Sequence, residues 1–258
     1  MLHSEPFVEP PGWILGDSFA VPCAPPYRLH LTVAVLQRTL LNPVDILDAN
    51  GRYLRAFADG TVPQGCVACQ LPDTNTLHIA FYQPTGAKGE LKALDEELRV
   101  RILQMLGARV DLSSFYAVAA HVRKLASLVV QARGVKPPRY PSLWESLCNA
   151  IAFQQVSLES AMATMRRVIA HCNVPLAFGD AQLYTFPTPE EITGTDLTVL
   201  RSLGLSTTKV RTLWEVADLL LGRKLTAEDL EMLPTADAMA RLMLLHGIGP
   251  WTAAVVML

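Results

Sequence analysis

The run His246-Gly247-Ile248-Gly249-Pro250-Trp251-Thr252-Ala253-Ala254-Val255-Val256-Met257 holds the clearest chemistry in this chain. Apolar residues at helical spacing (Ala238, Leu242, Leu245) run into a Gly-x-Gly turn, and a second apolar run starts at once with Trp251. Two helices joined by so short a turn leave backbone N–H groups free at the start of the second helix. With the helix dipole behind them, these groups make an anion site sized for one phosphate. The glycines permit the tight turn and the close approach of a ligand to the backbone. An ordinary turn between two helices fits the same residues, so the hairpin alone leaves both readings open. A second interruption lies in Asn149-Ala-Ile-Ala-Phe-Gln-Gln-Val-Ser157. There Gln154 and Gln155 end an apolar helix, and Ser157 is placed to cap the next.

The elements that position these residues fall into two parts, and the fold class expected is α+β. Residues 1–110 read as a small domain with an antiparallel sheet and one or two helices. Alternation predicts strands over 27–35, 51–57, 65–71 and 76–82. A helix is expected from about Gly89 to Leu106, with Leu91, Leu94, Leu98, Ile102 and Met105 on one face and Gly107 as its stop. From 111 to 258 strand patterns vanish, and an all-α bundle is expected to carry the helix-hairpin-helix. Its helix starts are Ser142-Leu-Trp-Glu145, Thr188-Pro-Glu-Glu191 and the N-cap candidates Thr195, Ser206, Thr226 and Thr235. Gly204 and Gly222 sit where helices should end.

With 258 residues, half of them hydrophobic and 18% charged, the chain is long enough for two modest cores. No apolar run approaches the roughly 20 residues of a membrane span. The N-terminus lacks the basic start and apolar centre of a signal peptide. The five cysteines are an odd number and read as free thiols of a cytosolic protein. Cys66-x-x-Cys69 has only His78 nearby, whereas zinc needs four ligands, so no structural metal is expected there. Net charge is −2 with no basic run, so any grip on an anionic polymer must come from local geometry and backbone amides. Arg201, Lys209 and Arg211 form either a small phosphate-facing cluster or a solvated helix face.

Leu245-His-Gly-Ile-Gly-Pro-Trp-Thr-Ala253 resembles the hairpin of the 3-methyladenine DNA glycosylase II family, within the helix-hairpin-helix DNA glycosylase superfamily. Gln154-Gln155-Val-Ser157, Tyr184-Thr-Phe-Pro-Thr-Pro-Glu-Glu191, Leu200-Arg-Ser-Leu-Gly-Leu-Ser-Thr-Thr-Lys209 and Pro141-Ser-Leu-Trp-Glu-Ser-Leu147 are similar to further segments of that family in the same order. The likeness covers about residues 140–258, with a looser match over 1–110. It implies that Gly247, Ile248, Gly249 and Thr252 meet DNA at a phosphate, together with Gln154, Gln155 and Ser157. Gln155 would fill the gap left by an extruded base. The carbonyls of Met243, Leu245 and Ile248 fall where such hairpins hold Na+ or K+; no other cofactor is implied. Trp251 stands where strand-cutting relatives have a lysine, and a tryptophan cannot form a Schiff base. It would instead line the pocket of an electron-poor alkylated base. Val255 departs from an aromatic found one turn later in some members.

The resemblance thus implies a monofunctional glycosylase that flips an alkylated purine and hydrolyses its N-glycosidic bond. Its expected partner is double-stranded DNA with damaged bases, without a membrane, and its expected state a monomer. The expected location is the cytoplasm, on the nucleoid in a bacterium. In this family the hydrolytic aspartate lies about twenty residues past the hairpin. It is therefore expected beyond Leu258, and the 258 residues by themselves are expected to be catalytically deficient. A non-catalytic DNA-binding module and an endonuclease III-like glycosylase/lyase are the alternatives; Trp251 argues against the second.

Overall fold

The computed structural model describes residues 7–58, 62–86 and 96–257. The chain opens with strand β1 (Trp13–Pro22), helix α1 (Leu29–Gln37), and strands β2 (Ile46–Leu47), β3 (Tyr53–Phe57), β4 (Gln64–Gln70) and β5 (Thr76–Pro84). Helices α2 (Glu96–Met105), α3 (Ser113–Ala120), α4 (Arg123–Gln131), α5 (Leu143–Ala152) and α6 (Leu158–Cys172) follow. A hairpin of β6 (Leu176–Phe178) and β7 (Ala181–Leu183) then precedes α7 (Pro189–Gly194), α8 (Leu197–Ser202), α9 (Thr207–Leu221), α10 (Ala227–Glu231), α11 (Thr235–Met243) and α12 (Pro250–Val256).

The first five strands make one antiparallel sheet in the order β1-β5-β4-β3-β2. One face packs on α1 and α2 through Val33, Tyr53, Cys66, Ile79 and Ile102. The other carries Trp13, Leu54, Val67 and Tyr82 under Phe178 and Leu183 of the β6–β7 hairpin. Gly65 in β4 makes room for that hairpin, since a Cβ there would come within 2.9 Å of the Phe178 ring. Cys66 and Cys69 are three residues apart on one strand and so point to opposite faces, which prevents them from sharing an ion. Among the described residues no helix is long and apolar enough to cross a membrane.

Three sequence expectations need correction. Residues 29–37 are helical, not a strand. The string Leu-His-Leu-Thr-Val-Ala-Val-Leu fits both periods, and burying Leu29, Thr32, Val33 and Leu36 on one helical face satisfies the core. Thr32 is buried and accepts the Lys136 N–H at 3.0 Å. β1 is a further strand: its burial alternates, but residue type does not follow, since Asp17 lies on the more buried side and Ile14 on the exposed one, with a register shift in the pairing between Leu15 and Asp17. The β6–β7 hairpin shows that strands do occur after residue 110. Its three-residue arms are too short for period-2 reading, although Gly179 at φ +58° marks the turn. Residues 89–95 of the expected long helix lie outside the described residues; Glu96–Met105 is helical.

The chain separates into two compact units at Arg139/Tyr140 rather than at 110, and Pro175–Thr185 returns to the first unit. Backbone bonds explain the later boundary. Arg28 N–H donates to the Gly134 carbonyl at 2.8 Å, Arg139 N–H to Met105 at 3.0 Å, and buried Lys136 sends its Nζ to the Val110 carbonyl at 2.6 Å. The second unit is helical, with a core built on Leu147, Ile151, Val168, Leu213, Val216, Leu242 and Ala253. Its caps follow the sequence closely. Ser142, Ser157, Ser206 and Thr226 each accept a backbone N–H three residues on, and Thr188 with Glu191 forms a complete capping box. Asp196, not Thr195, caps α8, and Thr235 is the first helical residue after Pro234.

Candidate functional site

The hairpin between α11 and α12 is held by side chains from within its own unit. Gly247 takes φ +78°, a conformation open to glycine, and a Cβ there would run into the Thr212 side chain of α9. Ile248 turns inward and is buried, so its side chain anchors the loop in the core and only its backbone can face a ligand. Its N–H donates to the Leu245 carbonyl at 3.1 Å. Gly249 is extended at φ −97°, and a Cβ there would meet nothing within 4 Å. Pro250 then opens α12, where its missing N–H costs no helical bond.

Gln154 and Gln155 have opposite orientations, which their adjacency in the sequence does not reveal. Gln154 Nε2 donates to the Gly247 carbonyl at 2.9 Å and to the Thr252 hydroxyl oxygen at 2.8 Å. Both partners belong to the hairpin, so Gln154 braces it. The Thr252 side chain is buried and serves the same brace. Gln155 is exposed at φ +54°, a left-handed conformation that non-glycine residues rarely adopt. Such outliers persist only where the surroundings enforce them, and they concentrate at functional sites. Ser157 caps α6, its hydroxyl accepting the Ser160 N–H at 3.2 Å.

Lys209 is the main residue that spacing misplaced. Instead of facing outward with Arg201 and Arg211, its Nζ donates to the carbonyls of Ala152 at 2.8 Å and Gln154 at 2.9 Å. Burial pulls its ammonium below the usual lysine range. Arg201 and Arg211 remain exposed. The lysine's role left no signal in the sequence, because its acceptors are backbone atoms more than fifty residues away.

Trp251 stands 55% exposed on the first turn of α12. With Phe153, Gln154, Gln155, Met243 and Leu245 it lines a cleft of about 730 Å3, a size usual for small-molecule sites. The cleft therefore combines an aromatic wall, a braced glycine turn and one strained, outward-facing glutamine.

The helical unit thus carries a helix–glycine turn–helix braced by side chains of its own unit. Residues 148–247 match the family model described as "HhH-GPD superfamily base excision DNA repair protein". Over that stretch the chain is similar to the helix-hairpin-helix DNA glycosylase superfamily. It is 26% identical over 148 residues to a DNA-3-methyladenine glycosylase of Bacillus subtilis, covering 57% of this chain and 49% of that protein. It is 29% identical over 137 residues to DNA-3-methyladenine glycosylase 1 of Schizosaccharomyces pombe, covering 53% of this chain and 56% of that protein. The aligned parts thus span about half the length of these curated relatives. In fold the chain is similar to a solved 3-methyladenine DNA glycosylase from Archaeoglobus fulgidus. The TM-score is 0.71 at 21% identity, over 93% of this chain and 78% of that one.

Proposed function

We propose that this protein is a monofunctional DNA N-glycosylase that removes alkylated purines of the 3-methyladenine type in base-excision repair. One observation carries the reading: at the hairpin position where a lysine would form a Schiff base, an exposed Trp251 walls the cleft beside Gln155. The names of both sequence relatives support the substrate class.

In this reading the backbone of Gly247–Gly249 and the start of α12 receives a phosphate of duplex DNA. Gln155 enters the stack as the damaged base turns out, offsetting part of the few kcal/mol of unstacking. The alkylated purine, cationic before it leaves, lies on the face of Trp251. Water supplies the hydroxyl that replaces the base on the sugar, and the base departs as a free purine. The carbonyls of Met243, Leu245 and Ile248 are proposed to hold a Na+ or K+ ion at the turn. The Leu245 oxygen, already accepting from Ile248, would use its second lone pair. The protein acts as a cytoplasmic monomer.

The test is release of 3-methyladenine or 7-methylguanine from methylated DNA, read by chromatography, with strands that break only after alkali. Strand cleavage without alkali would favour the lyase alternative. Damage-selective binding without release is what the 258 residues alone are expected to show, and it favours a non-catalytic module only where a protein that carries the aspartate past the hairpin also fails to release the base. The wedge is tested separately. Gln155→Ala keeps the backbone strain and removes only the side chain. It is expected to weaken binding to an abasic-site duplex roughly 10-fold, about 1.4 kcal/mol, while leaving intact duplex and melting temperature nearly unchanged. Equal losses on both duplexes in a gel-shift titration would take Gln155 out of this role.

A further inference from the structure

Lys209 and Thr212 lie three residues apart on α9 and so share one face of it. Thr212 abuts Gly247 of the hairpin, and its hydroxyl donates to the Thr208 carbonyl at 3.0 Å. Lys209 holds the carbonyls of Ala152 and Gln154 at the end of α5. Carbonyls at a helix end lack intrahelical partners, and an ammonium there both donates to them and complements the dipole. Gln154 closes the circuit through Gly247 and Thr252. The strained backbone of Gln155 begins one bond beyond the carbonyl that Lys209 grips.

We propose that Lys209 is a positioning residue: it fixes the direction in which Gln155 leaves the end of α5, so that the wedge and the phosphate-binding hairpin meet DNA as one preformed element. This rests on the reading of Gln155 as the wedge. Without the grip, the turn at 154–156 is free to relax toward ordinary backbone angles, and DNA must then restore the strained geometry at the expense of affinity. The loss falls on substrates that need the wedge, not on DNA binding in general. Removing a lysine that instead touched a phosphate would weaken binding to all duplexes alike and would lower its salt dependence.

The experiment compares wild type, Lys209→Met, Lys209→Arg, Gln155→Ala and the Lys209→Met/Gln155→Ala pair. Each is titrated with intact and abasic-analogue duplex across a salt series, with melting temperature measured in parallel. The methionine keeps the aliphatic stem and removes the donors. K209M is expected to lower the preference for the abasic duplex roughly 10-fold, in line with losing two charge-assisted hydrogen bonds, with an unchanged salt slope. Arginine, whose fork can still reach two carbonyls, is expected to restore most of the preference. The double variant is expected to lose no more preference than Gln155→Ala alone, because the lysine acts through that residue. If K209M does not fold, Lys209→Gln, which keeps two donors at shorter reach, takes its place in the comparison. A salt slope smaller by about one unit would make Lys209 a phosphate contact and overturn the proposal. Additive losses, or equal losses on both duplexes, would overturn it too. A wild-type protein that does not prefer the abasic duplex overturns the wedge reading and this proposal together. Preference retained in K209M overturns this proposal alone.

Discussion

Replacing Asp45 by alanine is expected to destabilise the sheet unit by about 3–5 kcal/mol, the usual effect of removing one partner of a buried ion pair. Asp45 is 2% exposed, and its Oδ1 accepts both the Tyr53 hydroxyl and Arg55 Nη1 at 2.7 Å. Arg55 is equally buried on β3, its guanidinium 5.0 Å from the Phe57 ring centre. Burial and the charge of Asp45 hold the Tyr53 phenol protonated well above its ordinary range. Alanine at 45 removes the carboxylate from both groups while they stay inside the core. Asn42, which supports the same turn by accepting the N–H groups of Val44 and Asp45 at 2.9 and 3.1 Å, also loses its context. Asp45→Asn should lie between alanine and wild type, since an amide oxygen still accepts both hydrogen bonds. Replacing the pair together, Asp45→Leu with Arg55→Met, should recover most of the loss, because neither charge of this pair is then buried. Amide exchange in β3 and β4 reads the effect locally. Wild-type protection in D45A would mean that the pair contributes little to the sheet.

The sequence made the helical unit more legible than the sheet unit, for local reasons. Caps are short-range: Ser142, Ser157, Thr188 and Ser206 act on amides three residues away, so their types and spacing suffice. Gly247 and Gly249 mark a turn by type alone. Residues 29–36 fit a strand and a helix alike, because one apolar string serves both periods, and only the core into which Leu29, Val33 and Leu36 pack decides between them. The division of labour at the site was hidden for a related reason. Gln154 bonds to residues 93 and 98 positions away, and Lys209 to carbonyls 55 and 57 positions away. Side-chain type shows that such residues can donate hydrogen bonds, but not whether they point inward. Gln155 points away from the hairpin because of a backbone angle that no pattern of residue types encodes.

The two glycines of the hairpin are expected to respond differently to substitution, and that contrast is the strongest test of the binding site. Gly249→Val should leave the melting temperature near wild type. Its backbone is extended at φ −97°, ψ 178°, which any residue adopts, and its Cβ would enter open space. That space lies at the mouth of the turn, so the new side chain stands where a phosphate would approach the amides. Affinity for duplex DNA is expected to fall 10- to 100-fold, about 1.4–2.8 kcal/mol, for abasic and intact duplex alike, since a phosphate contact carries no sequence information. The salt slope should change little, because backbone amides release no counterions of their own. Gly247→Ala should instead act on the fold. A left-handed residue with a Cβ costs roughly 1–2 kcal/mol, and the methyl also collides with Thr212. Adding Thr212→Ala should return the steric part of that loss and leave the backbone part, so the double variant should be more stable than Gly247→Ala alone. Calorimetry and gel-shift titration on the same preparations separate the two glycines. If Gly249→Val binds an abasic duplex as tightly as wild type while folded, the hairpin is not the element that holds DNA. If it melts as low as Gly247→Ala, the open space beside Gly249 is not open in solution.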